Sequence, residues 1–135
     1  MRRWGMVLGA LAAICLSTVA CSSGSSSGGK VDVGLKEFSI SPNAQSVKAG
    51  DVTFDVTNDG TTQHEMVLIR TDDAPADLPF ENGEASETGS VGEVAELNAG
   101  ASGTLNVDVK PGRYVMICNL PGHYTAGMRT EFTVS

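Results

Sequence analysis

The sequence predicts an all-β fold, an antiparallel β-sandwich of about seven or eight short strands within residues 31–135. Segments in which apolar and polar side chains alternate are separated by clusters of Gly, Pro, Asn and Asp, which is the pattern of strands and turns. After residue 21, no segment sustains the 3.6-residue periodicity of an amphipathic helix. A chain of 135 residues suits one domain, and about 105 residues are enough to bury a hydrophobic core.

Alternation is clear in the first predicted strand. Residues 31–35 alternate apolar with polar or small side chains. Phe38 and Ile40 continue the pattern after a slip at Lys36-Glu37, where a β-bulge would fit. The pattern therefore predicts a strand with one irregularity.

Two further strands precede the middle of the chain. Residues 52–57 alternate with period two, and the turn residues Asn58-Asp59-Gly60 end that strand. Residues 64–70 form a predicted strand whose centre, Met66 to Ile69, is apolar at every position. Such a centre is typical of a strand that is covered on both faces.

Residues 71–100 interrupt the strand pattern. They contain Pro75, Pro79, four glycines and eight acidic residues, with no lysine or arginine. Connections of this length are usually crossovers, functional loops or mobile segments. We predict a crossover over one side of the sandwich, with a short helical turn at 74–80 and a strand or turn at 92–97. A solvated acidic loop and a docking face for a basic partner both remain open for it.

Three strands are predicted after this segment. Residues 104–109 alternate cleanly, Pro111-Gly112 form a turn, and residues 113–118 are rich in β-branched and aromatic side chains. Residues 131–134 form the last predicted strand.

The N-terminus is predicted to be an export signal, residues 1–20. Arg2 and Arg3 precede an apolar stretch that is short for a membrane span. Residues 16–21 resemble the lipobox of bacterial lipoproteins, in which Cys21 would be lipidated, although Thr18 stands where that motif prefers Leu, Val or Ile. An uncleaved anchor or an ordinary secretory signal are the alternatives. Each of them places the domain outside the cytoplasm.

A tether follows, and the remainder of the chain is acidic. Residues 22–29 are only serine and glycine, so we predict a flexible tether over residues 21–30 and a domain over 31–135. Beyond the predicted signal, seven basic residues face sixteen acidic residues, a formal charge of −9. Such a surface repels nucleic acid and favours basic protein partners.

The cysteines leave one thiol without a partner. Cys15 belongs to the predicted signal and Cys21 to the predicted lipid anchor, so Cys118 has no intramolecular disulfide partner. A lone thiol in an oxidising compartment is open to oxidation unless something occupies it. A bound metal ion would do so.

Soft donor atoms are concentrated in the segment from Cys118 to Met128, which also contains His123. His64 is the one other histidine of the chain. Two imidazoles and a thiolate in a plane, with a weak axial thioether, suit both oxidation states of copper. The predicted ligands are therefore His64, Cys118 and His123 in the plane and Met128 on the axis.

These residues and their spacing resemble those of the cupredoxins, the type 1 blue copper proteins of the plastocyanin and azurin family. The spacing Cys-x4-His-x4-Met is similar to that of rusticyanin and sulfocyanin. The resemblance implies a Greek-key sandwich, one copper ion cycling between Cu(I) and Cu(II), and outer-sphere electron transfer. It also implies that His123 is the more exposed ligand.

The function predicted from the resemblance is that of a one-electron carrier, not an enzyme. Its expected partner is a redox protein with a basic docking face, a cytochrome or an oxidase domain, and a monomer is expected. The alternative is a protein that stores or delivers copper outside the cytoplasm. Such proteins usually gather several Met or His residues into open sites, whereas one methionine here, Met128, suits a fixed site.

One position departs from the family pattern. Many cupredoxins carry Asn directly after the first histidine ligand, where this chain has Glu65. A carboxylate accepts hydrogen bonds but donates none when ionised. Its negative charge is expected to favour oxidised copper and so to change the reduction potential.

Overall fold

Two mixed β-sheets packed face to face form the part of the protein that the computed structural model describes, residues 27–135. The strands are β1 (Ser27–Lys36), β2 (Ser39–Pro42), β3 (Ser46–Val47), β4 (Gly50–Asn58), β5 (His64–Arg70), β6 (Phe80–Glu81), β7 (Glu84–Ala85), β8 (Ser90–Leu97), β9 (Ser102–Val109), β10 (Gly112–Ile117) and β11 (Arg129–Val134).

The first sheet has the strand order β2-β1-β4-β9 and the second the order β3-β11-β10-β5-β8, while β6 and β7 form a separate small hairpin. The predicted sandwich is confirmed. Eleven strands are described, more than the predicted seven or eight, because β3, β6 and β7 have two residues each. The pairing is also not wholly antiparallel, since β1 runs parallel to β4 and β3 runs parallel to β11.

The slip at Lys36-Glu37 is a chain reversal, not a bulge. Lys36 pairs with Ser39 in an antiparallel register, so β1 and β2 form a hairpin whose turn contains Glu37 and Phe38. Ile40 of β2 continues the alternation because it joins the same core as the apolar residues of β1, whereas Phe38 in the turn is exposed. A bulge and a tight reversal therefore leave the same pattern in the sequence.

The main core lies between the two sheets. Alternate residues of β1 and β4 face it from the first sheet, and Phe54 of β4 meets Phe132 of β11 edge to face, with ring centroids 5.6 Å apart. From the second sheet, Met66, Leu68 and Met116 are fully buried against it. This core fixes the relative positions of β5 and β10, the strands that lead to the predicted ligands.

A second, smaller core lies on the outer face of the second sheet. Leu78 and Ala85, from the connection between β5 and β8, are buried there together with Tyr124. They lie against Val67, Ile69, Val115 and Ile117. The prediction that β5 is covered on both faces is thus confirmed.

The connection 71–89 departs from β5 and returns as β8, the antiparallel neighbour of β5 in the same sheet. It covers one side of the sandwich, as predicted, but the chain crosses to the other sheet only afterwards, at 98–101 between β8 and β9. Where a helical turn is predicted at 74–80, the structure has no helix but one hydrogen-bonded turn, in which the Asp77 amide donates to the Ala74 carbonyl. The predicted strand at 92–97 is part of β8.

Residues 1–26 lie outside the described part, and with them the predicted signal and the lipidation of Cys21. Within the predicted tether, β1 begins at Ser27, and Gly29 and Lys30 pair with β4. The last residues assigned to the tether therefore belong to the domain. Nothing in 27–135 forms a helix long and apolar enough to span a membrane.

Candidate metal centre

Strand pairing brings the two ligand segments to one end of the sandwich. β5 and β10 are antiparallel neighbours, with Ile117 opposite Val67, so the start of β5 lies beside the end of β10. His64 is the first residue of β5, and Cys118 directly follows β10. The fold thus joins residues that are 54 positions apart in the chain.

The segment 118–128 is a series of tight turns held by its own backbone. The Cys118 amide donates to the Met128 carbonyl over 3.1 Å, and the Met128 amide donates to the His123 carbonyl over 3.0 Å. Gly122 and Gly127 have φ angles of +84° and +109°, which residues with a side chain rarely adopt. These bonds close the segment into a loop with His123 inside it.

Three predicted ligands lie together. Nδ1 of His123 is 3.3 Å from Nδ1 of His64 and 3.3 Å from Sγ of Cys118. All three donor atoms lie within 4.8 Å of one another. His64 and Cys118 are fully buried, whereas His123 is half-buried.

The separation of the donors fits a single small ion. Two imidazole nitrogens that bind one first-row ion at about 2.0–2.1 Å lie about 3.3–3.6 Å apart in tetrahedral or trigonal geometry. The observed 3.3 Å between the Nδ1 atoms of His64 and His123 agrees with that range. A soft sulfur with two imidazoles is a donor set that suits copper.

The backbone of Met128 is hydrogen-bonded to that of Cys118 and of His123, and its side chain is fully buried in the main core, in the same cluster as Cys118. Met128 directly precedes β11, which begins at Arg129, two residues before the predicted start of the last strand. A buried methionine beside Cys118 is available as the thioether donor.

Burial shifts the pKa of two of the donors. It raises the pKa of the Cys118 thiol, and it lowers the pKa of His123, which the neighbouring His64 lowers further. A metal ion must therefore displace a firmly held thiol proton, while the imidazole of His123 is kept neutral and ready to bind. The Glu65 amide also points at the Cys118 sulfur, with N and Sγ 3.5 Å apart.

Glu65 ties the two ligand segments together. Its Oε1 accepts a hydrogen bond from the Asn119 amide over 3.0 Å, while its own amide approaches Cys118. Burial raises the pKa of this carboxyl. The connection between segments, which the family pattern assigns to Asn at this position, is thus made here by a carboxylate as acceptor.

Two polar residues of the site are not predicted from the sequence. Glu37 lies in the β1–β2 turn with Oε1 3.4 Å from Nε2 of His64, and Asn119 bonds with both its side-chain oxygen and nitrogen to the backbone of Ala85. Neither lies in a motif. The one clue is that each stands directly beside a predicted feature, Glu37 in the slip of the first strand and Asn119 after Cys118.

Comparison with known proteins agrees with this geometry. The sequence profile of the family described as copper binding proteins, plastocyanin/azurin family, matches residues 28–135. Auracyanin-B of Chloroflexus aurantiacus is 50% identical over 42 residues, which make up 30% of this chain. The match spans only 18% of the length of that protein.

Solved structures show the same fold. A structure of auracyanin B has 27% identity and a TM-score of 0.61, over 79% of this chain and 88% of the other. Dithionite-reduced auracyanin from Roseiflexus castenholzii has 23% identity and a TM-score of 0.57, over 83% and 99%. Rusticyanin from Thiobacillus ferrooxidans has 18% identity and a TM-score of 0.55, over 78% and 77%. Because their sequence identities are low, the last two matches support only the similarity of the fold.

Proposed function

Because the chain belongs to the plastocyanin/azurin family of copper-binding proteins, we propose that it is a one-electron carrier with a type 1 copper site. The residues that would hold the ion in this proposal are His64, Cys118, His123 and, as a weak fourth donor, Met128. The observation that carries it is the meeting of two imidazoles and a buried thiol within 4.8 Å at one end of a rigid sandwich. Copper supplies the Cu(I)/Cu(II) couple.

The protein's part is to hold these donors still. His64 is fixed by β5 and the main core, and Cys118 by the pairing of β10 and by its bond to the Met128 carbonyl. Donors that do not move between oxidation states keep the energy of reorganisation low. Electrons would pass at His123, which is the more exposed donor and meets the exposed ring of Phe38 edge to face, with centroids 5.2 Å apart.

Absorption spectroscopy and cyclic voltammetry of the copper-loaded protein test this function. We expect an intense visible band from thiolate-to-Cu(II) charge transfer and a reversible one-electron couple. Cys118→Ser is expected to abolish the band, because serine removes the thiolate. Met128→Leu is expected to keep the band and shift the potential, because the thioether binds weakly.

Met116→Leu is the matched control. Met116 is equally buried in the main core, and exchange of Met for Leu conserves volume, so colour and potential should stay as in the parent protein. A protein that binds copper tightly without the band or a reversible couple would contradict the carrier function and support storage or delivery of copper instead. A Cys118→Ser protein that stays fully blue would contradict the ligand assignment.

The cellular setting is part of the proposal. We place the domain outside the cytoplasm, tethered to the outer face of a bacterial membrane through a lipid on Cys21, because Arg2 and Arg3, the apolar stretch and residues 16–21 have the order of a lipoprotein signal. Labelling cells with a palmitate analogue tests the anchor. The expected result is a labelled protein in the membrane fraction, and loss of both label and membrane association in Cys21→Ser. Equal labelling of the variant would contradict lipidation at this residue.

A further inference from the structure

One buried polar atom in the described part of the chain has no hydrogen-bond partner, Nε2 of His64. Its ring is fully buried, with Nδ1 towards His123 and Nε2 on the opposite edge. A buried polar atom without a partner costs roughly 1–3 kcal/mol, so native proteins rarely keep one without reason. The Nε2 edge of the His64 ring therefore needs a hydrogen-bond acceptor.

The nearest acceptor is the carboxylate of Glu37, with Oε1 3.4 Å from Nε2. Four donors already hold this oxygen in place. The amides of Thr61 and Thr62 donate over 2.6 and 2.8 Å, and their hydroxyls over 3.2 and 3.1 Å. The amide bonds, that of Thr62 first, lower the pKa of Glu37 to about 2. The two backbone amides and two hydroxyls thus fix the carboxylate beside the histidine ring.

Binding of a metal at Nδ1 would place the ring proton on Nε2, because a neutral imidazole carries its single N–H on the nitrogen that is not a ligand. That proton then points at Glu37. An approach of about 0.2–0.7 Å would bring the 3.4 Å separation into the usual 2.7–3.2 Å range of a hydrogen bond.

We propose that Glu37 is a positioning residue of the copper site, which accepts the Nε2–H of His64 and fixes the tautomer and orientation of that ligand. The inference rests on the proposed function, since it requires His64 to bind through Nδ1. A carboxylate that accepts this proton increases the electron donation of the imidazole and places negative charge near the ion. Both effects stabilise Cu(II) relative to Cu(I), and so Glu37 lowers the reduction potential.

Glu37→Gln tests the proposal, because glutamine keeps the length and one acceptor oxygen and removes the charge. We expect the affinity for Cu(II) to fall roughly 10–100-fold, with a smaller loss for Cu(I). The reduction potential rises by about 59 mV for each tenfold change in the ratio of the two affinities. Competition titrations with each ion and voltammetry at one fixed pH measure the two quantities independently.

Two control variants separate the effect of the Glu37 contact with His64 from the effect of removing a nearby charge and from a general loss of stability. Asp59→Asn removes an equal charge from the neighbouring turn between β4 and β5, but the Asp59 carboxylate is exposed and lies beside Gly34. Thr62→Val removes one hydroxyl donor to Glu37 and keeps the charge. We expect both to leave the potential near that of the parent protein, with Thr62→Val lowering only the thermal midpoint.

A measurement on the unsubstituted protein keeps the test decisive if Glu37→Gln fails to fold. In the diamagnetic Cu(I) form, the Nε2–H of His64 should give a downfield NMR signal that exchanges slowly with water. If the protein turns blue but this proton exchanges freely, or Asp59→Asn shifts the potential as much as Glu37→Gln, the role of Glu37 is overturned. If the protein binds no copper, it is the proposed function that fails.

Discussion

Asn119 shows how much of the site depends on a single amide. Its side chain accepts from the Ala85 amide over 2.9 Å and donates to the Ala85 carbonyl over 3.0 Å and to Glu87 over 2.8 Å. Its backbone amide donates to Glu65. The residue after Cys118 thus connects the metal-binding loop to β7 and to β5.

We predict that Asn119→Ala lowers the free energy of unfolding by about 1–3 kcal/mol, because two buried backbone groups of Ala85 lose their partners. Urea unfolding of the copper-free protein measures the change. Asn106→Ala is the control, since Asn106 is exposed and bonds only to Thr53 across two strands, and its effect should stay within about 0.5 kcal/mol. Equal effects of the two substitutions would contradict a special role for Asn119.

At the scale of single residues, the sequence predicts the site residues whose residue types are rare in this chain. Two histidines and one unpaired thiol leave few ways to build a metal site, so His64, Cys118 and His123 stand out, and the structure brings them together. Glu37 and Asn119 do not stand out, because acidic and amide residues are common in turns. Their contacts depend on which turns the fold brings close.

At the scale of elements, alternation predicts the strands but not their neighbours. The strands at 52–57 and 104–109 lie within β4 and β9, which pair along their whole length. The parallel pairing of β1 with β4 has no local signature, because the chain departs through β2 and β3 before β4 returns beside β1. Such pairing is settled by the packing of the whole core.

The connection 71–89 shows a second limit of pattern analysis. Its prolines and acidic residues are typical of a solvated loop, yet Leu78 and Ala85 are buried against the outer face of β5 and β10. The apolar centre of β5 predicts that something covers it. Two separated apolar residues in an acidic segment are too weak a pattern to identify the cover.

At the scale of the whole molecule, the acidic surface governs encounters with charged partners. Glu65 lies within the influence of Glu87, Glu93 and Glu96, whose charges help to raise its pKa. The metal-binding end therefore carries part of the negative charge of the protein. We propose that its redox partner, such as a cytochrome or an oxidase domain, docks through a basic face.

Ionic strength provides the test of that proposal. We predict that the rate of electron exchange with a small cationic metal complex falls several-fold as salt rises from low to physiological concentration, whereas the rate with an anionic complex rises. The opposite signs are expected because screening removes attraction in one case and repulsion in the other. Stopped-flow kinetics at matched driving force measure both rates. A shared sign, or no salt dependence, would contradict steering by the acidic surface.

The direction of β1 also orients the molecule. The strand begins at Ser27, opposite the start of β4, and ends at Lys36, next to the turn in which Glu37 approaches His64. Ten residues of strand span about 30 Å, so the entry point of the chain and the metal-binding end are opposite poles. The proposed lipid anchor on Cys21 would therefore attach the protein at the pole opposite the metal-binding end, which contains His123.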